Sequence, residues 1–448
     1  MKLAPVNFRP TVSYLATLKA INYTPHHAIA EFIDNSLQSY IDNKPRLKNL
    51  HNNYKLKIHI RINSGSIEIE DNAAGISNND YHRAFQTALK PKKQTGLSEF
   101  GMGMKTAACW FCSYWSVKSK ALGEDIEKTI KVDVTKMADG NIEWVPPEGE
   151  KSPKNKHGTL VRLEKLQQPV RGASVANVKR HLTSIYREFI KRNEIEIRYN
   201  DEILKFEYPF KVLVGPLQED LEKQVKNPKS RIWKRKFDFT FKIDCKHKKH
   251  RVTGFAAVAD KMHKTCGMSI FRRSRLLKGS DDVPWRPLKL VGQEGSTTAR
   301  RLFGEIHFDD DMEVTHTKDN LQWTPDQELA FLKELKSVIN SDFLPIIKQA
   351  DDYRKPSDEI TKTVDKAGAS KFSKTLPKVL GVLQSKNLPI SISIPTRLPT
   401  AKGKNERLPP QRISLGGVEW TVIIVLNYGE KVNQKKWLDY SYDKKKNK

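Results

Sequence analysis

The chain has 448 residues, a formal net charge of +27, 38% hydrophobic residues and four cysteines. That length leaves room for two or three domains and a sizeable core, and four scattered cysteines exclude a disulfide scaffold. Neither end carries an apolar run long enough for a signal peptide or a membrane span, so the expectation is a soluble intracellular protein with no membrane partner, cytoplasmic or nucleoid-associated.

Thr24-Pro25 offers a hydroxyl N-cap and a proline at the first helical position, and Ala28, Ile29, Phe32, Ile33 and Leu37 form an apolar stripe, which predicts a helix. Glu31 and Asn35, four apart, share one face of it. A carboxylate and an amide so placed can divide the labour of hydrolysis: one orients a water or takes its proton, and the other lends a hard oxygen to Mg2+. Two alternating runs, Lys55 to Ile62 and Ser66 to Glu70, read as strands. Asp71 follows the second, and Gly75 comes four positions later. This spacing suits a buried carboxylate that accepts from the exocyclic amine of adenine while the chain turns tightly past the ring.

The glycine-rich stretch Gly96 to Thr106 precedes a helix-compatible run through Phe111. Gly101 and Gly103 let backbone N–H groups close on phosphate oxygens at a helix N-terminus, and Lys105 adds a point charge. Neither Gly-x-x-x-x-Gly-Lys-Ser/Thr nor a Gly-x-Gly-x-x-Gly after a strand is present. Cys109 and Cys112 fall in the predicted helix, and without a second C-x-x-C they read as packing residues rather than a metal site. At Gly158-Thr159 a further β-type run opens, and the Thr159 hydroxyl can join Asp71 in the adenine hydrogen-bond network.

The order and spacing of these stretches resemble the GHKL superfamily, within which the wording of residues 28–36 and 100–108 is most similar to the Microrchidia (MORC) ATPases and their bacterial relatives. The resemblance implies a two-layer α/β sandwich of mixed sheet and helices, the Bergerat ATP-binding fold, over residues 1–200, followed by a smaller α/β transducer domain over 201–350. It implies ATP and Mg2+ as ligands, with Glu31 as general base, Asn35 as Mg2+ ligand, Asp71 as adenine acceptor, Gly75 as the turn beside the base, and Gly101, Gly103 and Lys105 as the phosphate loop. Residues Gln86 to Leu97, with Lys90, Lys92 and Lys93, match the mobile lid. Lys318, in a loop after the strand-like runs 267–276 and 302–308, matches the transducer lysine that reaches the γ-phosphate. A closing helix is expected from Asp326 to Val338. The implied activity is ATP hydrolysis coupled to closure of a homodimer, around DNA in the MORC and MutL branches. A histidine-kinase-like phosphotransferase and an ATP-sensing module without turnover share the pocket; Glu31 and the transducer-like segment stand against the kinase.

Charge locates the expected nucleic-acid surface. Residues 221–280 hold 18 Lys/Arg against 4 Asp/Glu, whereas residues 281–352 hold 8 against 15. Within the first of these segments Lys234, Arg235, Lys236, Lys248, Lys249, Arg272 and Arg273 are the expected phosphate contacts, several alternating with apolar residues as on a strand. Residues 351–412, rich in Lys, Ser and Pro, read as a basic linker, and residues 413–448 as a short strand-like segment, expected to be either a docking strand or the start of an incomplete domain.

Overall fold

The computed structural model describes residues 14–50, 53–86, 96–97, 101–139, 145–242, 249–315, 317–341 and 343–353, with short strands between 390 and 427. The chain divides into two compact units, Met1–Tyr353 and Arg354–Lys448.

Among the described residues, the first unit opens with eight strands and seven α-helices around one core. The strands are β1 (Leu56–Ile62), β2 (Ser66–Asp71), β3 (Cys112–Lys120), β4 (Ile126–Asp133), β5 (Glu148–Lys151), β6 (Gly158–Leu166), β7 (Ile195–Tyr199) and β8 (Glu202–Ile203). The helices are α1 (Tyr14–Thr17), α2 (Pro25–Leu50), α3 (Asn78–Phe85), α4 (Gly103–Phe111), α5 (Val134–Ala138), α6 (Ala173–Ile185) and α7 (Arg187–Lys191). The sheet order is β5-β4-β3-β6-β2-β1-β7-β8, antiparallel except where β1 runs parallel to β7. Alternation decides its faces. Leu56, Ile58, Ile60, Ile67, Ile69, Val161 and Leu163 point into the core with the buried stripe of α2, which also packs against α4 and α6. The opposite face is polar and laced with ion pairs such as Arg61–Glu70 at 2.6 Å and Arg162–Glu68 at 2.8 Å. Cys112 does not extend the helix expected there: it is the first residue of β3, while Cys109 stays in α4, and both thiols are buried in the core.

Farther along, β9 (Val214–Gly215) and β10 (Arg231–Ile232) form a small ribbon, and β11 (Lys234–Lys242), β12 (Lys249–Val258), β13 (Met268–Arg272), β14 (Arg275–Lys278) and β15 (Leu302–Phe308) form a five-stranded sheet in the order β11-β12-β15-β13-β14. Four short or long helices accompany it before the unit ends: α8 (Gln218–Glu222), α9 (Leu288–Val291), α10 (Thr297–Arg301) and α11 (Pro325–Ile339), then α12 (Ile346–Asp352) closes the fold. Thr324 and Gln327 form a capping box at the start of α11, whose Phe331, Leu332 and Leu335 bury against Phe241, Val252 and Phe308. The strand-like run 267–276 is broken: Arg273 and Ser274 both take positive φ (50° and 63°), making the two-residue turn of a hairpin between β13 and β14.

In the second unit, Gln411–Leu415 pairs with Val418–Val422 and with Ile390–Ser391, and Asn405–Arg407 pairs with Val425–Asn427, all antiparallel. The remainder of the expected linker and C-terminal segment lies outside the described residues.

Candidate functional site

A cavity of about 540 Å3 is walled by α2, the end of β2, the start of β6, α3 and the N-terminus of α4. Its lining brings together Asn35, Asp71, Gly75, Gly101, Gly103, Lys105 and Thr159, seven of the residues singled out from sequence. The volume lies within the ordinary range for a small-molecule site.

At one end, the Asp71 carboxylate accepts from the Ser36 hydroxyl at 2.6 Å and from the Ala73 N–H at 2.8 Å, which leaves acceptor capacity for a further amine. Thr159 lies opposite Asp71 in the β2–β6 register, and its hydroxyl sits 3.0 Å from that of Ser119. Gly75 has φ of 72°, and a Cβ there would lie 2.0 Å from the Lys120 carbonyl oxygen, so the turn accepts only glycine. Loss of water around Asp71 pushes its carboxyl up to about 6. A raised carboxyl means that the folded chain prefers the protonated acid. The group's contribution to stability is therefore fullest below pH 3.8 and is lost as pH rises through about 6, whereas acceptance from an amine needs the ionised form. Nucleotide affinity measured by calorimetry from pH 8 to pH 5 is expected to weaken as pH falls through about 6. A flat profile would separate Asp71 from base recognition.

At the other end, α4 begins at Gly103 behind Gly101. The Lys105 ammonium donates to the carbonyls of Ala84 (2.9 Å) and Gln86 (3.0 Å), where α3 ends, and burial together with the like charge of Arg83 lowers it to about 8. The returning chain is pinned to α2 by the Leu97 N–H, which donates to Gln38 at 2.6 Å. Residues 87–95, which hold Lys90, Lys92 and Lys93 of the expected lid, lie outside the described residues.

Glu31 is not part of the cavity wall. Its carboxylate is buried behind Gly103, where a Cβ would come within 1.9 Å of Glu31 Oε2. The same oxygen accepts from Lys318 Nζ at 3.0 Å, so the two residues expected to act in the chemistry meet each other across 287 positions of sequence. Lys318 Nζ also donates to Asp34 at 2.8 Å. Burial works against the Lys318 ammonium, but the carboxylates of Asp34 and Glu31 outweigh it and hold Lys318 above its ordinary value. Asp34 is fully buried and accepts in addition from Arg275 Nε (3.0 Å to each oxygen) and from the Tyr186 hydroxyl (2.8 Å). Burial opposes its charge, yet Arg275 and Lys318 keep it below the usual carboxylate range.

Asp34, Arg275 and Tyr186 are residues that motif reading missed. A signal was present: Asp34 stands four after Ala30 and three before Leu37, an acid on an apolar helical face.

A second contact joins helix α7 to the five-stranded sheet. Glu305 of β15 lies 3.2 Å from Arg187 and accepts from Lys191 at 2.8 Å, both of α7, and from Tyr208 at 2.7 Å.

The expected basic surface is only partly assembled. Lys234, Lys236 and Lys242 alternate along the exposed side of edge strand β11, with Lys249 exposed opposite Lys242 and Arg235 half-buried. Arg272 and Arg273 are placed elsewhere. Arg272 is buried and donates to the Asp310 carbonyl at 2.7 Å, and Arg273, in the tight hairpin turn, donates to that carbonyl and to the one of Gly96. Lys248 lies outside the described residues. Among those residues no helix is long and apolar enough to cross a membrane.

A mixed sheet covered by helices on one face, with an acid ending a strand, a glycine turn and a glycine loop opening a helix around one cavity, defines a two-layer α/β nucleotide fold. Residues 23–159 match the family model described as "Histidine kinase-, DNA gyrase B-, and HSP90-like ATPase". The match supports a GHKL-type ATP-binding domain over that segment, and the sheet and helices are those of the Bergerat fold. No curated protein matches the chain.

Proposed function

We propose that the chain is a Mg2+-dependent ATPase of the MORC-like kind, in which ATP binding drives closure of a dimer on nucleic acid. The observation that carries the ATP reading is the single cavity into which three sequence-distant motifs converge. Asn35 lines it, and its amide has no hydrogen-bond partner among the described residues, so a hard oxygen is free to serve a cation. Asn35 and the phosphates would hold Mg2+, which neutralises phosphate charge when bound. Asp71 reads the adenine amine, Gly101 and Gly103 admit the phosphates, and Lys105 supplies positive charge beside them. Glu31, once relieved of Lys318, takes a proton from the attacking water. Lys318, carried by the transducer-like sheet, then faces the γ-phosphate.

Dimer closure is carried over from the resemblance. The DNA surface rests on the exposed lysines of β11 and β12. A second reading, an ATP-sensing module without turnover, is favoured by the tie between Glu31 and Lys318 behind Gly103. Phosphate release with and without DNA, together with light scattering in a non-hydrolysable ATP analogue, separates them: no turnover selects the sensor, and a monomer at saturating analogue removes dimer closure.

Reversing Lys234, Arg235 and Lys236 to Glu is expected to weaken DNA binding and leave ATP binding intact. Wild-type affinity should fall with salt at a log–log slope of about −0.9 per neutralised phosphate. DNA binding that ignores both the reversal and the salt would sink the assignment of this face.

A further inference from the structure

Glu31 and Asp34 stand one helical turn apart on α2, and two cations of the five-stranded-sheet module meet them: Arg275 from β14 and Lys318 from the loop before α11. All four groups are buried, and their formal charges cancel. The grip on them is uneven. Among the described residues Lys318 is the hydrogen-bond partner of the Glu31 carboxylate, whereas Asp34 keeps Arg275 and Tyr186 even if Lys318 departs. Lys318 itself holds a left-handed backbone (φ 54°), and Arg275 Nη1 fixes its carbonyl at 2.8 Å, so the backbone is pinned while the ammonium is the part able to swing. Its target is close, because the Glu31 oxygen it binds abuts Gly103 of the glycine loop.

We propose that Asp34 is a positioning residue that latches Lys318 onto Glu31 in the nucleotide-free chain, keeping that carboxylate neutralised until a γ-phosphate draws the ammonium away. The inference rests on the ATPase reading above. Its signature is a difference between nucleotides: an ATP analogue must break the Lys318–Asp34 contact, and ADP leaves it in place.

Calorimetry on the full chain with ADP and with a non-hydrolysable ATP analogue tests this. In Asp34→Asn the analogue is expected to bind about tenfold tighter, the equivalent of one charged hydrogen bond no longer broken, with ADP affinity unchanged. Where the lone Arg275 charge prevents folding, Asp34→Asn/Arg275→Gln removes both charges, and because it also frees the Lys318 carbonyl it is compared with Arg275→Gln alone. Tyr186→Phe strips one donor from Asp34, leaves every charge in place and tightens its hold on Lys318. It is expected to shift the analogue-to-ADP ratio the opposite way, about threefold. Both nucleotides changing together in these variants, or a ratio that stays fixed, overturns the latch and leaves the ATPase reading standing. A wild-type chain that binds neither nucleotide overturns both.

Discussion

Glu31→Gln is expected to lower ATP turnover by about 10²- to 10⁴-fold, the range typical of a general base, while ATP still binds. Glutamine preserves shape and retains a carbonyl oxygen for Lys318, 3.0 Å away in the wild type, but it takes no proton from water. The cavity wall does not include Glu31, so its shape survives the change. Single-turnover phosphate release beside calorimetric ATP binding gives the two readouts. Near-normal release would remove Glu31 from the chemistry.

Glu305→Ala is expected to cost about 3–5 kcal/mol of unfolding free energy, the range for a buried ion pair that loses one partner. Arg187 is 1% exposed and Glu305 4%, so removing the carboxylate strands the guanidinium away from water. The Lys191 ammonium and the Tyr208 hydroxyl lose their acceptor at the same time. Burial opposes the Glu305 charge, but His307, Arg187 and Lys191 outweigh it and hold the carboxyl below its ordinary value. The stability it confers is therefore present above pH 4.5 and drains away as the medium is acidified below that. Urea midpoints at neutral pH measure the loss, and a change below about 1 kcal/mol would mean that water reaches Arg187.

Local chemistry was legible in the sequence where neighbours decide it. The start of α2 at Pro25, the strands bounding Asp71 and the helix opening at Gly103 depend on proline, alternation and glycine within a few residues and form as expected, although the Thr24 hydroxyl meets the rings of His26 and His27 instead of a backbone N–H. The meeting of Lys318 with Glu31 and Asp34 depends on how β14 and the loop before α11 pack on the helices of the first sheet, and no local pattern encodes a contact across so many intervening residues. The β13–β14 hairpin was hidden for a different reason. Arg273-Ser274 lacks the glycine or asparagine that usually marks positive φ, so a turn reads as the middle of a strand. Charge density assigned Arg272 and Arg273 to the outer basic face, whereas the structure buries Arg272 and ties both to backbone carbonyls.

From Ala28 to Tyr40, helix α2 has no idle face. Ile29, Phe32, Ile33 and Leu37 belong to the core, Glu31 and Asp34 to the ionic contact with the five-stranded sheet, and Asn35, Ser36, Gln38 and Ser39 to the cavity. An ordinary amphipathic helix spends half its circumference on water and drifts freely there. These turns have no such slack, and a replacement that suits one neighbour is judged at once by two others. Their composition is thus dictated threefold, which explains why so short a stretch carries enough information to announce a fold.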